Sequence, residues 1–192
     1  MAEEKQEEKS VETDFKKLRK QAKDGVLKAQ YLLAVKLASG DGVEADVKEA
    51  EKWYRKAAKR DFPPAMNNLA LLHAGESLGA SNPKQAVKWY RKAAELGYAS
   101  AQRNLARHLR SGEGVTPNEE EAIDWTKKAA EQDVAAAQNN MGIYCSEGRG
   151  MEADETQAVE WFRKSAEQGQ FQAQFNLAVR LRDGRGVETD LD

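Results

Sequence analysis

Gln85–Gly97 reads QAVKWYRKAAELG, and variants of it recur along the chain. Glu49–Asp61 is EAEKWYRKAAKRD, Glu121–Asp133 is EAIDWTKKAAEQD and Gln157–Gly169 is QAVEWFRKSAEQG. Their tryptophans stand at 53, 89, 125 and 161, a constant interval of 36 residues. A fixed period of that length marks a helical repeat array. One copy cannot bury its own apolar face, so stacking of neighbours supplies the core.

Working outward, each copy is preceded by another helical stretch, beginning at Ala29, Ala65, Ala101 and Ala137, and a fifth such stretch begins at Ala173. The small leading residue and a second small one five places on (Ala34, Ala70, Ala106, Gly142, Ala178) let helix backbones approach closely. Leu69, Leu105, Met141 and Leu177 fill the layer between them. Loops such as Gly40-Asp41-Gly42-Val43 and Gly148-Arg149-Gly150-Met151 follow, where glycine supplies the left-handed residue that ends a helix. The next helix opens at Asp46, Asn82, Asn118 or Asp154. Three residues later stand Glu49, Gln85, Glu121 and Gln157, a reciprocal capping pattern.

Before the array, residues 1–10 carry a Glu/Lys-rich sequence with no apolar face and are expected to lack order. Residues 11–28 form a capping helix, with Val11, Phe15, Leu18 and Ala22 at helical spacing. The array proper then runs over 29–192, as full repeats at 29–64, 65–100, 101–136 and 137–172 and a partial one at 173–192.

A net charge of −2 gives no global reason to expect nucleic acid or an anionic membrane as partner. No apolar run is long enough to span a bilayer, and MAEEKQEEKS has no apolar signal-peptide core. With Cys145 the single cysteine, no intrachain disulfide can form, and a reducing, cytoplasmic setting is expected.

The pattern A-x-x-x-L-A/G, then G-x-G-V, then D/N-x-x-x-A-x-x-W-Y-x-K-A-A-x-x-G resembles the Sel1-like repeat (SLR), a relative of the tetratricopeptide repeat (TPR). The resemblance covers Ala29–Asp192. It implies an all-α fold, a right-handed α/α superhelical solenoid of helix-loop-helix repeats. The function it implies is a non-catalytic protein-protein interaction scaffold or adaptor without cofactor, with toxin-neutralising immunity proteins among the family's known roles. Local departures are Glu76 and Leu78 in place of loop glycines, Thr126 in place of an aromatic, and Asp61 and Asp133 in place of a terminal glycine.

Several strings look like chemistry. Gly40-x-Gly42-x-x-Ala45 and Gly148-x-Gly150-x-x-Ala153 fit a loose dinucleotide fingerprint, but that motif needs a strand before it and here a helix precedes it. Gly75-Glu76-Ser77-Leu78-Gly79, beside His73, has the form of a nucleophile elbow and makes a weak serine hydrolase at Ser77 the enzyme alternative. His73 shares its slot with Leu37, Leu109, Cys145 and Leu181, which favours a core or semi-buried histidine. In the same slot, Cys145 reads as a buried inert thiol, and two histidines with one cysteine do not make a zinc site. The pairs Trp53-Tyr54, Trp89-Tyr90 and Trp161-Phe162 read as core cement. Arg55-Lys56, Arg91-Lys92, Lys127-Lys128 and Arg163-Lys164 read as a solvated basic row.

In tetratricopeptide-like stacks the first helices line the concave face. By that analogy the residues facing a partner are Tyr31, Val35, Asn67, Leu71, Arg103, Arg107, Arg110, Asn139, Ile143, Phe175, Val179 and Arg182, with Ala38, Ala74 and Ser146 completing the rows. Arg103, Arg107 and Arg110 fall at i, i+4 and i+7 on one helical face, where an acidic group would receive charge-assisted bonds. The expected ligand is therefore a protein or peptide with an acidic group and apolar anchors. Asn68, Asn104, Asn140 and Asn176 are expected to tie helices together or to touch a ligand backbone. The half-repeats at the two ends suggest head-to-tail self-association.

Overall fold

The computed structural model describes residues 2–75 and 81–187, with side chains from Thr13 onward. It is helical, with no strand among the described residues. One compact unit, residues 1–96, contains α1 (Ala2–Lys23), α2 (Leu27–Ser39), α3 (Val47–Ala58), α4 (Pro63–Ala74) and α5 (Pro83–Glu95). A second, residues 97–192, contains α6 (Ala99–Ser111), α7 (Glu119–Ala130), α8 (Ala135–Glu147), α9 (Glu155–Glu167) and α10 (Phe171–Arg182). Within each unit every helix packs on the next in the chain. No described helix is long and apolar enough to cross a membrane.

The elements form where the residues demand. Asp46, Asn82, Asn118 and Asp154 cap the second helices, each side chain accepting from the backbone N–H three residues on, at 2.8–3.2 Å. The residue at that third position turns forward. Glu49 Oε1 accepts from Trp53 Nε1 at 3.2 Å and Glu121 Oε1 from Trp125 Nε1 at 3.1 Å, because the i, i+4 spacing puts an indole donor within reach. Burial alone would raise the Glu49 carboxyl, but hydrogen bonds from Arg19 and Trp53 hold it below the ordinary range.

Gly40, Gly112 and Gly148 close α2, α6 and α8 in the left-handed conformation (φ 75°, 74° and 66°). α4 instead leaves through an extended Gly75 (φ −90°), so the repeat lacking loop glycines also departs in shape. Ser77, the candidate nucleophile, lies outside the described residues. First helices begin two residues before the leading alanines, at Leu27, Pro63, Ala99, Ala135 and Phe171. α1 runs back to Ala2, whereas the sequence predicts a helix only from Val11.

The core corrects one reading. In two of the three aromatic pairs only the second member is deep: Tyr90 and Phe162 are buried, whereas Trp89 and Trp161 are half-buried. Trp53 and Tyr54 are both buried, and the unpaired Trp125 is half-buried. The lysine three residues after each tryptophan lies over its indole ring. Lys56, Lys92, Lys128 and Lys164 stand 4.1, 5.0, 4.1 and 4.7 Å from the ring centroids. The four lysines are exposed, as a solvated row requires, and their stems also cover the indoles beneath.

A second tether recurs: Gln30, Gln102, Gln138 and Gln174 follow the leading alanines. Gln30, Gln138 and Gln174 donate Nε2 to the carbonyls of Ala22, Ala130 and Ala166, at 3.2–3.4 Å. The end of one helix is thereby tied to the next at carbonyls that also accept the backbone N–H of Gly25, Asp133 and Gly169.

His73 is half-buried in contact with Glu51 (Nε2 to Oε1, 3.7 Å), as its slot predicts. Burial pushes its pKa down, with Glu51 pulling up and Arg55 adding to the fall. A folded-state pKa below the unfolded value, about 6.5, means the fold disfavours imidazolium. Its stability contribution is complete above that pH and lost as pH falls through it. The first unit is therefore expected to melt earlier at pH 5 than at pH 7, and His73→Leu, which restores the leucine of sister repeats, to flatten the difference. Thermal melts of both proteins at the two pH values check this.

Candidate functional site

Arg103, Arg107 and Arg110 are exposed along one face of α6, and they line a cavity of about 330 Å³ within the second unit. Its other walls are Asn139, Asn140 and Tyr144 from α8, Thr126 from α7, and Gln170 and Gln172 at the start of α10. The lining contains three guanidinium groups and no carboxylate.

Each arginine is steadied by a neutral neighbour. Arg103 Nη2 donates to Asn104 Oδ1 at 3.2 Å, and Arg110 Nη1 to the Tyr144 hydroxyl at 3.5 Å. Arg107 Nη2 lies 3.1 Å from His108 Nε2. A guanidinium can only donate, so Nε2 carries the lone pair, and Nδ1–H donates to the Glu113 carbonyl at 2.9 Å. His108 is fully buried and acts as a post for Arg107. Among the described residues no carboxylate forms an ion pair with any of the three. Arg182, by contrast, is bound to Asp183 at 2.8 Å.

The cavity has an identifiable origin. In the first repeat the ring of Tyr31 packs on Tyr54 (centroids 6.0 Å apart) and on Phe62 (5.3 Å), and Asn68 Nδ2 donates to the Tyr54 hydroxyl at 3.3 Å. Two repeats on, the same four slots hold Arg103, Thr126, Val134 and Asn140. Thr126 is buried with its hydroxyl donating to the Ala122 carbonyl at 2.7 Å, and the volume of the missing ring is left open. Asn140 is left without the hydroxyl that engages Asn68.

The residues predicted to face a partner are thus sorted. Arg103, Arg107, Arg110 and Asn139 meet at one cavity. Asn139 is largely buried and accepts from Asn176 Nδ2 at 3.1 Å, so this pair ties α8 to α10. Phe175, exposed at 62%, and half-buried Val179 lie further along α10, and Ile143 packs against the core around Met141 and Phe162. In the first unit Leu71 is exposed, Tyr31 and Val35 are half-buried, and Asn67 is buried and donates to Asn68.

Sequence reasoning missed Thr126, Tyr144 and Gln172. The only signal was the Thr126 departure from the repeat pattern. Cys145 is buried as expected, its thiol donating to Gln157 Oε1 at 3.0 Å, and burial raises its pKa. The glycine strings at 40–45 and 148–153 are helix-ending loops, as expected.

A crystal structure of a protective antigen of uropathogenic Escherichia coli, described as displaying an SLR fold, superposes with a TM-score of 0.85 at 35% identity, over 91% of this chain and 37% of that one. A Sel1 repeat protein from Oxalobacter formigenes matches with a TM-score of 0.76 at 34% identity, over 85% of this chain and 65% of the other. This chain therefore spans less than two thirds of the length of either. An immunity protein of Pseudomonas aeruginosa shares the fold at 24% identity, with a TM-score of 0.55, over 84% of this chain and 60% of its own. The family model of the Sel1 repeat matches residues 27–62, 63–98, 99–134, 135–170 and 171–192, two residues ahead of the boundaries drawn at the alanines. With its paired helices, capped loops and neighbours of the same architecture, the chain is an all-α repeat solenoid and belongs to the Sel1 repeat family.

Proposed function

We propose that this chain is a non-catalytic interaction scaffold that grips a partner protein through the first-helix face of its second unit. The observation that carries the reading is the arginine trio: three exposed guanidinium groups around one cavity with no carboxylate in its lining. Unpaired like charges at i, i+4 and i+7 repel one another, a cost an acidic ligand removes through charge-assisted bonds. Exposed Phe175 and half-buried Val179 offer apolar contact on the same unit. Neutralisation of a toxin, among the roles the family resemblance implies, is one form of such binding, and the Pseudomonas aeruginosa protein of this fold is described as an immunity protein.

Head-to-tail assembly is less well supported. The slots that hold Ala50, Trp53 and Ala57 in α3 hold Asp14, Lys17 and Gln21 in α1, all exposed. A polar face there suits a cap better than a joint. Light scattering is expected to give 21.4 kDa across concentrations, and a mass that climbs with concentration would revive self-association.

The scaffold reading is tested by affinity capture from the source cell with the wild type and with the double variant Arg103→Glu/Arg107→Glu. Proteins held by the wild type are expected to be lost by about ten-fold or more on charge reversal. Equal recovery would place the binding face elsewhere.

A further inference from the structure

The third repeat differs from the first where a packed aromatic cluster, Tyr31, Tyr54 and Phe62, gives way to Arg103, Thr126 and Val134. Tyr31, Tyr54 and Asn68 close their space with two rings and a hydrogen bond. Arg103, Thr126 and Asn140, in the same slots, line an open one. The substitution both empties the site and charges its rim. Its donors outnumber its acceptors: three guanidinium groups, the side-chain amides of Asn140 and Gln172, and no carboxylate.

Spacing narrows the ligand. Helical rise places Arg103 and Arg107 about 6 Å apart along the axis and Arg103 and Arg110 about 10 Å apart. A lone carboxylate or phosphate, only about 2.5 Å across its oxygens, meets one or two of them at best. Alternate side chains of an extended strand project from one face at about 6.6–6.8 Å, close to the separation of the first pair. A helical ligand could present acids at a similar interval, but its girth of about 10–12 Å does not enter the gap left by a single ring.

Resting on the scaffold reading above, we propose that the gap at Thr126 is a subsite for an extended acidic segment of a partner protein, with carboxylate side chains at alternate positions (Glu-x-Glu). One carboxylate enters the gap toward Arg107 and Arg110, the next meets Arg103, and the Asn140 amide donates to a backbone carbonyl of the segment.

The test is fluorescence anisotropy with capped, labelled peptides on the full chain. One peptide carries Glu-x-Glu, an isomer carries the same residues with the two acids adjacent, and a third carries Gln-x-Gln; inorganic phosphate is the competitor. The Glu-x-Glu peptide is expected to bind about ten-fold more tightly than either control, and millimolar phosphate to leave it bound. Thr126→Tyr, which restores the ring of the sister repeats and so keeps the helices packed, is expected to weaken binding about ten-fold. Glu160→Gln, exposed on α9 and outside the cavity lining, is expected to bind as the wild type does, with circular dichroism melts verifying that both variants fold.

Equal affinity for the two acidic isomers, displacement by phosphate, or unchanged binding by Thr126→Tyr would each overturn the proposal. If protein capture depends on Arg103 and Arg107 while the peptides show no preference, the scaffold reading stands and the Glu-x-Glu assignment falls. If capture ignores the arginines, the scaffold reading fails first.

Discussion

Replacing Phe162 by alanine is expected to destabilise the second unit by about 3–5 kcal/mol, whereas Trp161→Ala, one residue away, costs roughly 1–3 kcal/mol. The asymmetry follows from depth. Phe162 is fully buried in a cluster with Met141, Tyr144 and Cys145, and the Arg180 guanidinium covers its ring at 4.5 Å. Arg180 is itself fixed by Ser146 Oγ at 2.7 Å and Glu155 Oε2 at 3.2 Å, so removing the ring strips the seat from a half-buried ion pair as well. Trp161 is half-buried, with Lys164 over it, and its loss leaves space that water reaches. Urea denaturation followed by far-ultraviolet circular dichroism separates the two variants. Equal losses would show that the half-buried tryptophan carries as much as its buried neighbour and that depth does not set the cost.

The second large effect runs against helix propensity. Alanine stabilises most helix interiors relative to glycine by about 0.5–1 kcal/mol, and Ala34, Ala70, Ala106 and Ala178 occupy the slot of Gly142 in the other repeats. Gly142→Ala is nonetheless expected to destabilise by about 1–3 kcal/mol. A β-carbon there would stand 2.6 Å from Phe162 Cε1 and 2.7 Å from Cδ1, on a ring already covered by the Arg180 guanidinium. If the contact is the cause, Phe162→Leu in the same chain relieves part of the penalty, and a double-mutant cycle measures the coupling. A Gly142→Ala variant more stable than the wild type would disprove the close approach of α8 and α9.

Much of the fold is legible because repetition multiplies weak signals. One Asp or Asn before an apolar run is an ambiguous cap. Four at a constant interval, at Asp46, Asn82, Asn118 and Asp154, leave little choice, and all four do cap. The same repetition hid other features. Lysine three residues after tryptophan is compatible both with a solvated row and with a lid over the indole, since the flexible stem reaches either way. Gln30, Gln138 and Gln174 recur as regularly as the caps, yet their bonds to carbonyls eight residues back join two helices, a relation periodicity does not encode.

The site divides along the same line. Placing three arginines on one face needs only helical spacing. Finding the cavity beneath them needs Arg103, Thr126 and Asn140 set against Tyr31, Tyr54 and Asn68, and knowledge that those six side chains occupy two equivalent volumes. Asn139 shows the limit of pattern reading. Its slot predicts a surface residue, but its amide is drawn into the bond with Asn176 and is largely buried.

Site-specific photo-crosslinking tests the central claim most directly. A photoreactive residue at Gln172, on the cavity wall, is expected to form adducts with a partner protein that disappear in the Arg103→Glu/Arg107→Glu background. The same group at Glu160, exposed on the second helix α9, is expected to form none. Adducts at Glu160 that survive charge reversal, with none at Gln172, would contradict the claim that the first-helix face of the second unit does the binding.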